Sequence, residues 1–279
     1  MDRWTIVAGG VLAASLTGGA EAPPATRAEL LKRAGARAEA YLVDLPRLVA
    51  TESMEQQVLD SRSAILDGER RRWVADIGWV RLNDTPEAIA VRDVLEVDGT
   101  PVAEGRSRLI ELLHGARQGT WSEALALLNQ GARHNLVPGS RNFNLPTVAL
   151  FFLHPDTRPR FRWTARWPRD RRASSPGPFE IEFRERSRPT VIHGADGEHI
   201  YSRGRVWVAG DGSVVRTELR LEIGPLRYTL DTEFRHDAAI GAVVPFRMTE
   251  RYDTGDDVVV GTAHYSNYRR FQGGARLLP

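Results

Sequence analysis

The chain has 279 residues, no cysteine and a formal net charge of +2 from 38 basic and 36 acidic residues. The absence of cysteine excludes disulfide frameworks, thiolate nucleophiles, cysteine-ligated zinc and a lipid-modified N-terminal cysteine. The near balance of charge gives no overall attraction to nucleic acid. Because Lys32 is the only lysine, the excess of arginine indicates a GC-rich genome rather than phosphate binding.

Residues 1–20 have the three-part layout of a secretory signal peptide. Arg3 precedes an apolar stretch over residues 4–16, which is shorter than the roughly 20 residues that span a bilayer. Cleavage after Ala20 is favoured over cleavage after Ala22, because Pro23 would then adjoin the scissile bond. We therefore expect a periplasmic or secreted, soluble protein without a membrane span or lipid anchor. The alternative, a buried N-terminal helix, is disfavoured by glycine pairs and a missing polar face.

After a linker over residues 21–26, residues 27–279 are expected to form one domain. Thr26 and Glu29 have the spacing of a capping box, which predicts a helix over about residues 27–43. Apolar residues at every second position predict strands. The strands predicted in the first half of the chain lie at about residues 51–59, 72–82 and 88–97, and Asp98-Gly99 is a strong hairpin signal.

A helical insertion is predicted over about residues 104–153. One helix is expected around Leu109, and a second capping box at residues 120–123 begins another. A loop rich in Asn, Pro and Gly follows over residues 135–144. Residues 146–153 are apolar and begin with Pro146, which favours a short buried helix.

From residue 160 the hydrophobic pattern has period two almost to the end. Short turns between consecutive strands predict an antiparallel meander with one apolar and one polar face. The predicted fold is therefore α+β, with a large curled antiparallel sheet of eight to eleven strands, a half-barrel, covered by a few α-helices. The clearest strands are at residues 215–223, 226–235, 244–248 and 258–271, with turns at 211–212, 224–225 and 254–256.

The sequence contains no nucleophile elbow, no H-E-x-x-H, no P-loop and no dinucleotide-binding glycine motif. We therefore expect a protein that is not a conventional enzyme and that needs no metal or cofactor. Residues 193–199 contain His193 and His199 with two carboxylates, but Asp196-Gly197 favours a hairpin over a metal site. Asp253, Asp256 and Asp257 lack the spacing of a calcium loop, so a turn is favoured there as well.

The segment over residues 158–172 is rich in arginine interleaved with Phe161, Trp163 and Trp167. This composition can bind single-stranded nucleic acid. An amphipathic strand, with its aromatic residues on one face and its arginines on the other, explains it equally well. For an exported protein we expect no nucleic-acid partner, and peripheral contact with an anionic membrane surface is the more plausible use of these arginines.

Large apolar side chains of the predicted strands would share the covered face of the sheet. They are either core residues or the lining of a ligand site. We call them the candidate lining residues: Trp73, Ile77, Trp79, Phe161, Trp163, Leu219, Leu221, Tyr228, Leu230, Phe246 and Met248.

A signal peptide, an N-terminal helix and a long meander interrupted by helices resemble the periplasmic lipoprotein-carrier superfamily, whose fold is an unclosed β-barrel lidded by helices. Residues 144–155 (NLPTVALFFLHP) and residues 263–271 (AHYSNYRRF) resemble segments of uncharacterised exported bacterial proteins. The resemblance implies an apolar concavity that binds an acyl chain, a lipid or a lipidated protein. The lack of an anchor fits a carrier or sensor that diffuses.

Two other functions are compatible with the sequence. A non-enzymatic interaction or scaffold module would have a filled core and would bind a partner at an edge strand or at the loop over residues 135–144. A hydrolase whose site has no recognisable motif is the third. An apolar cavity favours the carrier, a filled core favours the interaction module, and a cleft with convergent histidines and carboxylates favours the hydrolase.

Overall fold

The computed structural model describes residues 26–60, 65–82, 88–102, 108–113, 121–136, 144–165, 177–194, 197–255, 257–270 and 276–277. The predicted signal peptide and nearly all of the predicted linker lie outside the described residues. So do Trp167, Thr120 of the second capping box, and Asp256.

The described chain is mostly strand. Its helices are α1 (Arg27–Asp44), α2 (Arg108–Leu113) and α3 (Trp121–Ala132), with 3₁₀ helices at Leu45–Arg47, Val148–Leu153 and Arg158–Arg160. Its strands are β1 (Leu48–Asp60), β2 (Ile65–Leu82), β3 (Ala88–Val97), β4 (Thr100–Pro101), β5 (Phe161–Ala165), β6 (Phe179–Glu185), β7 (Ile192–His193), β8 (His199–Ile200), β9 (Arg203–Val208), β10 (Val214–Ile223), β11 (Leu226–Asp237), β12 (Ala242–Asp253), β13 (Asp257–Arg270) and β14 (Arg276–Leu277).

One large antiparallel sheet dominates the fold. Its strand order is β4-β3-β2-β1-β13-β12-β11-β10-β9-β6-β5, and β14 is an additional strand that pairs in parallel with β2. β1 pairs with β2 on one side and with β13 on the other, so the first and last long strands meet inside the sheet. Within the described ranges, β4 and β5 are the two ends and do not pair with each other. The sheet is therefore not closed, as the prediction of a half-barrel requires.

Local signals in the sequence place several element ends correctly. Thr26 and Glu29 form the predicted capping box: the Glu29 amide donates to the Thr26 hydroxyl, and the Thr26 amide donates to the Glu29 carboxylate at 2.7 Å. Asp98 and Gly99 both adopt positive φ, at 49° and 81°, as the predicted tight hairpin turn requires. β2 is the main departure, because it begins at Ile65 rather than near residue 72.

The two faces of the sheet differ in what covers them. We call the face that carries Met54, Trp73 and Ile77 the inner face, and the opposite one the outer face. The inner face and the buried side of α1 form one hydrophobic core cluster. Its residues come from strands throughout the sheet, because alternate side chains of each strand point to the same face.

The cover of the inner face has two parts. The 3₁₀ helix Val148–Leu153, which we call the plug, belongs to the core cluster, and α1 packs against the plug. At Gly35 of α1, a Cβ atom would lie 2.9 Å from the Leu153 carbonyl oxygen, so the close approach requires glycine. The short buried helix predicted for residues 146–153 is therefore confirmed.

The other helices of the insertion do not cover the inner face as expected. The Leu109 amide of α2 donates to Asp93 at 3.0 Å, and Asp93 points to the outer face, opposite its neighbour Arg92. Gly131 of α3 lies against the backbone of Arg92. The insertion thus passes around β3 before the chain reaches the inner face. None of the helices among these described segments is long and apolar enough to cross a membrane.

The close approach of β9 to β10 can be tested at Gly204. A Cβ atom there would overlap the Glu218 carbonyl oxygen, so Gly204→Ala should destabilise the protein by about 1–3 kcal/mol or more through overpacking. Gly210→Ala is the matched control, since nothing lies within 4 Å of the added Cβ. Urea unfolding measures both. An unchanged midpoint for Gly204→Ala would contradict the described packing of β9 on β10.

Candidate functional site

The candidate lining residues come together almost as predicted. None of the following is more than 6% exposed, and all belong to the core cluster: Trp73, Ile77, Trp79, Phe161, Leu219, Leu221, Tyr228, Leu230 and Met248. Trp163 is half-buried and packs against the same cluster. Among the described residues, this part of the inner face is therefore filled by its own side chains.

Phe246 does not join the other candidate lining residues. The register between β11 and β12 shifts between Glu233 and Phe234, so the alternation that predicts an inward Phe246 is interrupted there. The half-buried ring instead lies 5.3 Å from the guanidinium of the exposed Arg235. The assignment of Phe246 to the covered face was wrong because a β-bulge breaks the period of two.

The plug occupies the concave side of the sheet. Phe152 is fully buried, and its ring centroid lies 4.9 Å from that of Phe161 and 5.3 Å from that of Phe183. Trp163 packs against Phe161 and Phe183 and completes an aromatic cluster. A segment of the chain thus fills the place that the sequence predicts for an apolar ligand.

A buried polar cluster adjoins the plug at its N-terminal side. The Arg92 guanidinium donates to Glu52 at 2.5 and 3.1 Å and to Asn144 at 2.9 Å (side chain) and 2.6 Å (carbonyl oxygen). Tyr265 donates its hydroxyl to Glu52 at 2.8 Å. Arg92 on β3 thus joins Glu52 on β1 to the residue that leads into the plug.

A second carboxylate, that of Glu250, belongs to the same polar cluster. It accepts hydrogen bonds from Gln56 at 2.5 Å, from Tyr252 at 2.8 Å and from Asn144 at 3.4 Å. A Cβ atom at Gly261 would lie 2.7 Å from Glu250, so glycine makes room for this side chain. Gln56 also accepts from the Leu136 amide at 2.8 Å, which holds the segment after α3 to β1.

The electrostatics of the polar cluster keep Arg92 charged and Tyr265 protonated. Burial opposes the charged form of Arg92, but the charge and hydrogen bonds of Glu52 outweigh it and raise the pKa of the guanidinium. Burial, and then the charge of Glu52, raise the pKa of the Tyr265 hydroxyl well above its usual value. Tyr265 therefore stays protonated and donates to Glu52.

Sequence reasoning missed this polar cluster, although a signal was present. Glu52 and Gln56 alternate with Met54 and Val58 on the inner face of β1, and Glu250 lies between Met248 and Tyr252 on β12. A charged residue at a core-facing position needs a buried partner. The pattern thus indicates an internal network, but it does not say which residues complete it.

In this conformation the polar cluster is suited to joining segments of the chain, and it is not suited to acting on a substrate. Glu52 and Gln56 are 0% exposed and Glu250 is 2% exposed, so a substrate in solution does not reach them. A buried ion pair and a second buried carboxylate that accepts three hydrogen bonds favour one arrangement of the segments they join.

The histidine-rich segment at residues 193–199 is a hairpin. β7 and β8 pair through Ile192 with Ile200 and through His193 with His199, and Gly197 has a positive φ of 75°. Across the described part of the chain, no group of at least three His, Asp or Glu side chains is placed to hold a metal ion. Thr254 and Gly255 form the turn between β12 and β13, where a turn was favoured over a calcium loop.

Two clefts border the sheet. The larger, about 830 Å³, lies mainly on the outer face, because Glu55, Arg72 and His264 alternate with inner-face residues of their strands. Of the candidate lining residues only Trp73 borders it. The second, about 280 Å³, lies between α1, the plug and β10–β12, with Tyr41, Leu150 and other apolar residues at its border. Burial raises the pKa of the Tyr41 hydroxyl, and this buried hydroxyl has no hydrogen-bond partner among the described residues.

Two of the solved structures that match are of the kinds that the sequence resembles. One is a DUF1329 family protein from Desulfovibrio piger, with 13% identity, a TM-score of 0.40, and 88% of this chain and 92% of that chain covered. The other is a domain assigned as an outer membrane lipoprotein-sorting protein from Vibrio parahaemolyticus, with 8% identity, a TM-score of 0.38, and 87% and 92% covered. At these values the likeness carries no argument about function. No family model and no curated protein matches the chain.

Arg92→Met tests the polar cluster. It leaves the Glu52 carboxylate buried without its cation and should destabilise the protein by about 3–5 kcal/mol in urea unfolding. Hydrogen exchange over residues 144–153 should also increase, because the hydrogen bonds to Asn144 are lost.

Arg216→Met is the control for that substitution. It removes an exposed ion pair with Asp231 and should change stability by about 1 kcal/mol or less. Glu52→Gln combined with Arg92→Met should recover part of the loss, because the unpaired charge is gone. Equal effects of Arg92→Met and Arg216→Met would show that Arg92 does not hold the cover.

Proposed function

We propose that this protein is an exported carrier or sensor that binds a hydrophobic ligand on its inner face in place of the plug. The ligand is a lipid, an acyl chain or a lipidated protein. The observation that carries the proposal is that an apolar segment, Val148–Leu153, fills the concave side of an open sheet and borders an apolar cleft. Burial of an acyl chain there is favourable by about 25 cal/mol for each Å² of apolar surface.

The cleft beside α1 is the route by which such a ligand would enter. Its volume of about 280 Å³ is just below the range of ligand pockets, which hold about 300–1,000 Å³. A long acyl chain therefore needs the plug to move. Leu150 of the plug borders this cleft, so displacement of the plug would extend the cleft into the core.

Polar atoms in the core support a ligand that carries hydrogen-bond acceptors. The indole N–H groups of Trp73 and Trp79 are buried and have no acceptor among the described residues. An unsatisfied buried donor costs about 1–3 kcal/mol. An ester or amide carbonyl of a bound lipid would satisfy such a donor.

One observation favours a second function, that of an interaction module with a filled core. The candidate lining residues other than Trp163 and Phe246 are at most 6% exposed, as expected of an ordinary core. Such a module would bind its partner at a sheet end such as β5. Ligand uptake separates the two functions.

Phe152→Ala tests the carrier. The truncation should destabilise the protein by about 3–5 kcal/mol, and it opens space in the core where the ligand would lie. We therefore expect native mass spectrometry to show more palmitic acid bound to Phe152→Ala than to the unmodified protein, which should itself retain lipid when purified without detergent. Phe246→Ala, outside the core, should leave both stability and uptake nearly unchanged.

A loss of stability without palmitic acid uptake would contradict the carrier and favour the interaction module. Phe152→Leu, a milder truncation, provides the same comparison if Phe152→Ala does not fold. Co-purified lipid is identified by organic extraction.

Export of the protein has its own test. Mass spectrometry of protein purified from the periplasm should give Glu21 as the first residue, because small residues precede the bond after Ala20. Ala20→Phe should block that cleavage, whereas Ala22→Phe should not. A purified protein that retains residues 1–20 would contradict export through a cleaved signal peptide.

A further inference from the structure

A row of arginines crosses the outer face of the sheet. Arg162 on β5 lies directly opposite Arg184 on β6, Arg184 opposite Arg203 on β9, and Arg203 opposite Arg220 on β10. We call these residues the arginine row. All four side chains are exposed, and neighbouring strands are about 4.8 Å apart, so the row extends over about 14 Å.

The arginine row does not simply reflect a chain rich in arginine, because another row of the outer face alternates in sign. That row begins on β10, two rows away from Arg220, and runs from Arg216 to Glu233 on β11 and Arg247 on β12. Arg216 forms an ion pair with Asp231 of the row between, and Arg247 forms one with Glu233. Four consecutive cations in register are therefore a feature of this row.

The arginine row is costly to the isolated protein. Like charges directly opposite each other on neighbouring strands destabilise a sheet. Arg203 is paired with Glu222, and Arg220 with Glu218 at 3.1 Å. Within the described ranges, the guanidinium groups of Arg162 and Arg184 form no ion pair. An anionic partner would remove the repulsion at that end of the row.

The shape around the arginine row indicates the form of this partner. A cleft of about 300 Å³ is bordered by the four arginines together with Arg186, Arg205, Glu182 and Glu218. Guanidinium groups bind phosphate oxygens in a bidentate manner. A row about 14 Å long is longer than one phosphate group, so it matches several anionic groups that lie side by side in a surface.

We propose that the arginine row docks the protein on a membrane surface through the phosphate groups of anionic phospholipids. A single-stranded nucleic acid would also need exposed aromatic side chains for base stacking. The aromatic neighbours of the row, Trp163 and Phe183, instead pack in the inner aromatic cluster. Trp207, on the outer face, lies beneath the guanidinium groups of Arg205 and Arg216, at 5.4 and 4.6 Å.

Vesicle co-sedimentation of the purified, exported protein tests this proposal. We expect binding to vesicles of phosphatidylglycerol and phosphatidylcholine, little binding to phosphatidylcholine alone, and weaker binding as salt is added. Arg162→Gln combined with Arg184→Gln should weaken binding about twenty-five-fold, since each arginine near an anionic surface contributes about fivefold. The same double variant should be at least as stable as the unmodified protein in urea, because it removes like-charge repulsion.

Arg216→Gln combined with Arg247→Gln is the matched control. It removes the same number of charges from the outer face, but at ion-paired positions, and should weaken vesicle binding far less. Equal loss in the two double variants, or equal binding to a single-stranded oligonucleotide, would overturn the proposal. Vesicle binding does not need the plug to move, so its failure is distinguishable from a failure of ligand uptake, which is measured without vesicles.

Discussion

The hydrogen bonds of Arg92 connect the sheet to its cover, and the covered face depends on them. Its guanidinium, on a side chain that is 10% exposed, lies between the Glu52 carboxylate and Asn144, which are both fully buried. A buried ion pair adds little to stability compared with apolar side chains of similar volume, but loss of one partner is costly. The apolar contacts of the plug are not directional, whereas the hydrogen bonds to Asn144 are. They therefore determine where the plug begins relative to β1 and β3.

The polar cluster and the plug differ in whether an acyl chain could replace their contacts with the sheet. The plug packs on aromatic rings through dispersion and burial, and an acyl chain can replace those contacts without loss. The hydrogen bonds of Arg92 and Glu250 have no equivalent in an acyl chain. In the proposed carrier, the ligand would therefore take the place of Phe152 and Leu150, and the polar cluster would limit how far it extends.

Much of the fold could be predicted because its signals are local. Period two shows which residues of β10 to β13 share a face, the capping box at Thr26 begins α1, and Asp98-Gly99 closes the hairpin after β3. Ten of the candidate lining residues come together for the same reason, since each follows from the alternation in its own strand. Phe246 does not join them, because the bulge opposite Phe234 depends on the register in which β11 pairs with β12.

The remaining features depend on which distant segments pair or pack together. The spacing of residues within one segment does not show this. Nothing local to β1 indicates that it pairs with β13, about two hundred residues later. The polar cluster takes its members from β1, β3, β12, β13 and the insertion, so Glu52 alone could not reveal it. The arginine row has the same origin, because Arg162 and Arg220 become part of one row only through the register of the strands between them.

The two proposed sites lie back to back on the same strands. On β6, Phe183 contacts Phe152 of the plug while its neighbour Arg184 points to the outer face, and on β5 the same holds for Phe161 and Arg162. Alternate side chains of one strand point to opposite faces, so the two proposed sites share strands without sharing side chains. The proposed docking therefore uses no side chain that the proposed ligand site needs, and substitutions in the arginine row can test the one without removing an aromatic ring from the other.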